Sequence, residues 1–304
     1  MSVPVLILVH GRSQGGKDAS ELRRVWLDTL AAGLGRERAA SLADFEVRFP
    51  YYGDVLDGLV SETRSVPGDV IARGAPVGAD PRFLQFQQEM AEEVRRRRGI
   101  TDEQILDEAP DGIERGPLQW GWVQAILRTL EKVPGLSGDM LQRFTRDVYI
   151  YLERDQVHEA VNDVVAEAIR PGERAVVVGH SLGSVVAYDV LRRTPGLAVS
   201  AFCTVGSPLA VRPIREKLDP IGFPAGVGQW FNAYDERDAV ALYPLDHDNF
   251  PVQPAIENFN AVQNGTDNAH GIIGYLNNAV VANRIWDALT DAKGASGGNE
   301  GEGH

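Results

Sequence analysis

Ser181 sits in Gly179-His180-Ser181-Leu182-Gly183, which fits the pattern G-x-S-x-G. A serine hydroxyl is a weak nucleophile. It needs a base within hydrogen-bond reach, and the base needs a carboxylate to orient it. Six histidines are available as the base. His10 and His180 precede or adjoin the serine, His158 lies upstream in a helix-like run, and His304 ends the chain. His247 and His270 remain. Where a serine occupies a strand-to-helix elbow, the order along the chain is nucleophile, acid, base. That order favours His270, in Asp267-Asn268-Ala269-His270-Gly271, over His247, in Asp246-His247-Asp248. The acid is then expected in Asn232 to Val240. Asp235 and Asp238 are both candidates, with Glu236 less well placed. Asp235 also reads as a turn residue or a partner of Arg237.

An attacked carbonyl develops negative charge and needs preorganised N–H donors. One expected donor is the amide of Leu182, directly after the nucleophile. The other should come from a loop after an early strand, where His10-Gly11-Arg12 stands. Gly11 permits close backbone approach, and the amide of Gly11 or Arg12 is the expected second donor. His10 reads as a brace for that loop. This chemistry calls for no metal and no cofactor.

These residues need a scaffold. Arg174 to Val178 is an apolar run before the serine, and Ser184 to Arg193 is helix-like after it. Strand, tight turn and helix are the setting of a nucleophile elbow; a βα turn with an exposed serine is the plainer alternative. Val3 to Val9 is almost continuously aliphatic, as in a strand buried on both faces. Asp18 is placed to cap a helix carrying Leu22, Val25, Trp26, Thr29 and Leu30. Phe45 to Phe49, Leu197 to Val205 and Gly228 to Tyr234 read as further strands, and Val157 to Ala168 as a helix. A loop-rich stretch follows Tyr234, and His270 opens a final helix through Ile273, Leu276, Val280 and Leu289. Strands alternating with helices predict an α/β domain, with a mostly parallel sheet flanked by helices, over residues 1–292. The Gly- and Ser-rich tail, 293–304, is expected to be disordered.

From about 53 to 151 that rhythm is lost. Phe83, Phe86, Met90 and Val94 recur at helical spacing, and four arginines, Arg95 to Arg98, close the run. An anion site is one reading of them; a solvated helix end is favoured by cations at a helix C-terminus. Thr101 with Gln104 resembles a capping box. Trp120, Val123, Ile126, Leu127 and Leu130 form another stripe, read as core or lid packing before a lipid-facing surface. The whole region is expected to be a helical insertion over a sheet edge.

Composition excludes several function classes. The net charge of −13 argues against a nucleic-acid partner and against docking on anionic lipid. Cys203, the one cysteine, excludes an intrachain disulfide and reads as a buried, inert thiol. No signal peptide and no apolar run of membrane-spanning length is visible, so a cytoplasmic location is the simplest expectation.

Val5 to Gly11, Val176 to Gly183 and Val205-Gly206-Ser207-Pro208-Leu209 together resemble the α/β-hydrolase superfamily, in particular its lipases and esterases. So do Asp238-Ala239-Val240 and Ala269-His270-Gly271 with Tyr275 following, whereas 53 to 151 is unmatched. The resemblance implies Ser181 as nucleophile, His270 as base and Asp238, followed by Ala-Val, as acid. It implies a small-molecule or lipid ester substrate, with thioesterase, phospholipase and acyltransferase as alternatives on the same triad. The chain departs from the family in lacking a His-Gly-Gly-Gly oxyanion loop. Two rival classes are a non-catalytic binder on the same fold and a nucleotide-binding protein. For the latter, Gly11 to Lys17 matches G-x-x-x-x-G-K, but Asp18 stands where a magnesium-binding hydroxyl belongs.

Overall fold

The computed structural model describes residues 4–12, 14–62, 80–109, 120–133, 137–266 and 268–294. Six strands form one sheet: β1 (Val5–Val9), β2 (Glu46–Arg48), β3 (Arg174–His180), β4 (Ala198–Val205), β5 (Val227–Ala233) and β6 (Glu257–Phe259). Their order is β2-β1-β3-β4-β5-β6, and every neighbouring pair is parallel. The central strands β1 and β3 are buried, all but Arg174 at the start of β3, which is why they read as aliphatic runs.

The period of two along each strand divides the core. Val5, Ile7 and Val9 face one side with Ala175 and Val177. Leu6 and Leu8 face the other with Val176 and Val178. The second side is covered by α1 (Ala19–Leu34), α11 (Ile272–Leu276) and α12 (Ala279–Gly294). The first side is covered by α8 (Asp155–Ala168) and α9 (Leu182–Arg193), with further helices packed outside them. Two signals read from the sequence hold: Asp18 caps α1 through the Glu21 amide at 2.8 Å, and Thr101 with Gln104 forms a capping box.

Three expectations need correction. Among the described residues, the helical segment of α3 (Gly53–Glu62), α4 (Pro81–Arg97), α5 (Asp102–Leu106), α6 (Trp120–Glu131) and α7 (Gly138–Glu153) packs mainly on other helices and not along a sheet edge. It stacks on one face: α7 packs on α8, and α8 on α9. The expected final helix is two helices, broken at Asn277 and Asn278. The Asn278 side chain takes the Val280 amide at 3.0 Å, so it starts α12 instead of continuing α11. The apolar spacing of Ile273, Leu276 and Val280 runs across that break and hides it. Third, the stretch after Tyr234 contributes an edge strand, β6, too short to show alternation. The Gly- and Pro-rich run at 66–79, Pro134-Gly135 and the tail from 295 lie outside the described residues.

The arginine run at the end of α4 is not simply solvated. Arg95 pairs with Glu92 at 2.8 Å and with Asp102 at 2.9 Å. Arg98 donates to the carbonyls of Glu236 and Arg237, while the exposed Arg96 and Arg97 reach Glu93 at 3.7 Å and the face of the Tyr243 ring. Val123, Ile126, Leu127 and Leu130 are buried, so that stripe faces protein, and Trp122 beside them is buried and donates to Glu92 at 3.0 Å. Cys203 is buried, and burial pushes its thiol up to about 12. Among the described residues, no helix is long and apolar enough to cross a membrane.

Candidate active site

Ser181 follows β3 directly and precedes α9, with φ 54° and ψ −129°. That left-handed φ is costly for a residue with a Cβ, and the surroundings over-determine it. A Cβ on Gly183 would lie 2.3 Å from the carbonyl oxygens of both Val9 and His10, so only glycine lets α9 start this close to β1. A Cβ on Gly11 would lie 2.9 Å from that of Ser181, which places the β1 loop against the serine. From the far side, Ser184 donates to the Ser181 carbonyl at 2.6 Å, and its Oγ lies 2.8 Å from the Ser207 hydroxyl. The Gly-Ser-Pro after β4 therefore buttresses the elbow.

His270 reaches the serine from the loop before α11. Its Nε2 lies 2.9 Å from Ser181 Oγ, and its Nδ1 lies 2.7 Å from Asp238 Oδ2. A carboxylate only accepts, so Nδ1 carries the proton and Nε2 is free to take one from the serine. The residue before His270, Ala269, has φ 53°; it and Ser181 are the non-glycine residues with positive φ among those described. Strained backbone thus adjoins both ends of the serine–imidazole contact.

Of the two candidate acids, Asp238 meets the imidazole. It is fully buried and accepts the Val240 amide at 2.8 Å and the Tyr275 hydroxyl at 2.6 Å. Asp235 turns to Arg237 and to the Asn264 amide, at 2.7 Å each. Burial works to raise Asp235, but the Arg237 guanidinium and the two amides it accepts hold it below the ordinary carboxylate value. Glu236 is exposed. His247 is also exposed, on a turn closed by Asp246, and His158 pairs with buried Asp189 at 2.8 Å between α8 and α9. His304 lies outside the described residues.

Two further histidines brace the site. His180 donates through Nε2 to the His270 carbonyl at 2.8 Å, and their rings are 4.9 Å apart. Burial, the largest cause, lowers it to about 3. His10 accepts the Tyr52 amide on Nε2 at 3.1 Å, and its Nδ1 donates to the Gly11 carbonyl at 2.6 Å. It stacks on the Tyr52 ring, and burial lowers it to about 4. Both imidazoles stay neutral while holding backbone. His10 fits its expected part as a brace; His180 and Ser207 lie in stretches the sequence singled out without a role for their side chains, and the supports from Ser184 and Arg98 carry no motif of their own. Tyr275 stands in the sequence only as part of a resemblance; its hold on Asp238 appears in three dimensions.

Leu182 opens α9, so no carbonyl within the helix can take its amide. Arg12 ties the β1 loop to α7 through an ion pair with Asp147 at 2.8 Å. The phosphate-loop pattern that continues from Arg12 is occupied by the protein's own groups. Asp54 takes the Gly16 amide at 2.7 Å, and Lys17 donates to Gln14. Ser13 lies outside the described residues. A cavity of about 330 Å³ opens beside Ser181, lined among others by Val25, Trp26, Met140, Phe144, His270 and Ile272. Among the described residues, no group of three or more His, Cys, Asp or Glu side chains is arranged to hold a metal ion.

No protein-family model matches the chain, and no curated protein matches it either.

Proposed function

We propose that this protein is a serine hydrolase of α/β-hydrolase type that cleaves carboxylic esters through an acyl-enzyme on Ser181. The observation that carries the reading is the Ser181–His270–Asp238 relay, with contacts of 2.9 and 2.7 Å, on a serine at φ 54°. In this mechanism Ser181 Oγ attacks the ester carbonyl carbon while His270 Nε2 takes its proton. Asp238 holds the tautomer and stabilises the imidazolium. The oxyanion is met by the Leu182 amide and by that of Gly11 or Arg12. His270 then protonates the departing alcohol, leaving the acyl group on Ser181. Water, deprotonated by the same imidazole, releases the acid and restores the serine.

The aligned relay weighs against a pure binding protein, which has no use for a buried carboxylate behind an imidazole. Asp54, which takes the Gly16 amide, and Asp18, directly after Lys17, weigh against a nucleotide site, because carboxylates there would repel phosphate. On this reading residues 1–292 form the hydrolase domain, and α3–α7 is the helical insertion.

A fluorophosphonate probe should label the wild-type protein at Ser181, and Ser181→Ala should abolish labelling and ester hydrolysis together. Undiminished labelling of Ser181→Ala would sink the proposal.

A further inference from the structure

We infer that Tyr275 is a positioning residue of the relay: its hydroxyl aims Oδ2 of Asp238 at His270 by clamping both ends of the turn that carries the acid. The inference rests on the serine-hydrolase reading. The hydroxyl donates to Asp238 Oδ2 at 2.6 Å and accepts the Asp235 amide at 3.3 Å. Asp235 and Asp238 begin and end one turn, closed by the Asp238 amide on the Asp235 carbonyl at 2.9 Å. One phenolic oxygen therefore holds that turn at both ends. A hydroxyl can do so because it gives one proton and accepts another.

The acid needs this second hold. Asp238 Oδ1 accepts the amides of Val240 and Ala241, at 2.8 and 3.3 Å. Those bonds come from the acid's own turn and fix one oxygen. The carboxylate could still tilt about it, and Oδ2 is the atom that meets His270 Nδ1 at 2.7 Å. The imidazole cannot supply that constraint, because its own tautomer and tilt depend on the same oxygen. Tyr275 supplies it from another element, α11.

The phenol itself is fixed. Tyr275 is fully buried, in the core under α1 and α12. A Cβ on Gly206, at φ 58° after β4, would lie 2.9 Å from the Tyr275 ring and 3.3 Å from Asp238 Oδ2. Glycine there leaves the room that ring and carboxylate share. Because α11 begins at Ile272, directly behind His270 and Gly271, the base and the clamp on its acid ride on one segment. Burial, joined by the Asp238 charge, raises the phenol well above its ordinary value, so the hydroxyl keeps the proton it donates.

The test is Tyr275→Phe in the wild-type and Asp238→Ala backgrounds, read as turnover of a 4-nitrophenyl ester and as the rate of fluorophosphonate labelling of Ser181. Phenylalanine keeps the ring and removes the oxygen. In the wild-type background kcat should fall by about tenfold to a hundredfold with KM nearly unchanged, and labelling should slow in step. With Asp238→Ala there is no carboxylate to aim, so the same change should alter either rate by less than about twofold. A hydroxyl that served the fold alone would cost the same factor in both backgrounds. Tyr188→Phe is the control. Its buried hydroxyl also bridges a donor and an acceptor, the Gly222 amide and carbonyl at 3.0 Å each, and its loss should lower the urea midpoint without lowering kcat. Equal losses in the two backgrounds, or an unchanged kcat in Tyr275→Phe, overturn the inference while wild-type labelling at Ser181 keeps the hydrolase reading. Where Asp238→Ala does not fold, Tyr275→Phe against Tyr188→Phe decides alone, and equal kcat for the two overturns the inference. Failure of the wild-type protein to label at Ser181 would remove the hydrolase reading and this inference with it.

Discussion

At the carboxyl ends of β3, β4 and β5, the groups that meet are read from short stretches of chain. Ser181 is braced by Ser184, Asp238 by the amide of Val240, and His270 lies five residues before Tyr275. In α3–α7 the contacts that tie the segment to the rest of the molecule join partners far apart in sequence. Arg12 reaches Asp147, and Glu93 takes both Arg212 and the Tyr243 hydroxyl; inside the segment Trp122 reaches Glu92. The first region is fixed by backbone geometry, which demands particular residue types at particular spacings. The second is fixed by pairwise fit, which many sequences satisfy. A motif therefore marks the site where a bond would break, and no motif marks the wall beside it.

The proposed acid, Asp238, gives the largest test of this contrast. Asp238→Asn should lower kcat by about 10⁴-fold with the fold intact, because the imidazole is then held in the wrong tautomer. Asp235→Asn should leave kcat within about tenfold and act on stability instead, by weakening contacts to Arg237 and Asn264. Steady-state kinetics on one ester, with urea unfolding of each variant, checks both. A larger kcat loss in Asp235→Asn would reverse the assignment.

Next in size is the backbone itself. Gly183→Ala pushes a methyl into two backbone carbonyls that cannot move aside without shifting β1, so it should cost about 3 kcal/mol or more. Alanine at Gly58, on α3, meets nothing within 4 Å and replaces a poor helix former with the best one. It should be neutral or stabilising by up to about 1 kcal/mol. Equal urea midpoints for the two variants would break the contrast between geometry and fit.

Acid should also act on the sheet end first. Residues 53 to 151 contain no histidine, whereas His10 and His180 are buried beside Ser181. Their folded-state values, about 4 and about 3, lie below the ordinary imidazole value of 6.5. Between those limits the unfolded chain binds protons that the folded chain refuses. Stability is therefore fully present above pH 6.5 and falls as the pH drops through that window. A tenfold change in proton affinity corresponds to about 1.4 kcal/mol, so the loss from His10 alone is on the order of 3 kcal/mol. Urea midpoints should drop between pH 7 and pH 4, and less steeply in His10→Asn. A parallel pH profile for that variant would remove His10 as a cause.

The sheet and the relay were legible because each depends on a local rule. Buried parallel strands leave aliphatic runs, and the elbow leaves glycines on either side of Ser181. The choice of Asp238 over Asp235 was not settled by spacing, since both follow β5; the following Ala-Val favoured Asp238 only through resemblance. What separates them is the pairing of Asp235 with Arg237 and Asn264, a contact spanning 29 residues. The break between α11 and α12 was hidden because apolar periodicity continued through it. The four arginines were illegible for the same reason as α3–α7 as a whole: which of them is paired depends on what folds back against them.

Arg98 joins the two regions and gives the smallest effect. It stands at the end of α4, yet its guanidinium donates to the carbonyls of Glu236 and Arg237, on the turn that presents Asp238. Burial lowers its proton affinity, while the charges of Asp238 and Asp235 oppose that loss. Arg98→Met keeps the stem and removes the donors. Two carbonyls then lose their partners, costing about 1–2 kcal/mol of stability. The acid's turn is also loosened, so kcat should fall by about tenfold or less with KM nearly unchanged, because uniform binding is not touched. Arg96→Met, at an exposed neighbour on the same helix end, should change neither quantity beyond about 0.5 kcal/mol. A fall in kcat for Arg98→Met alone would mean that the helical segment, besides walling the cavity, steadies the acid from behind.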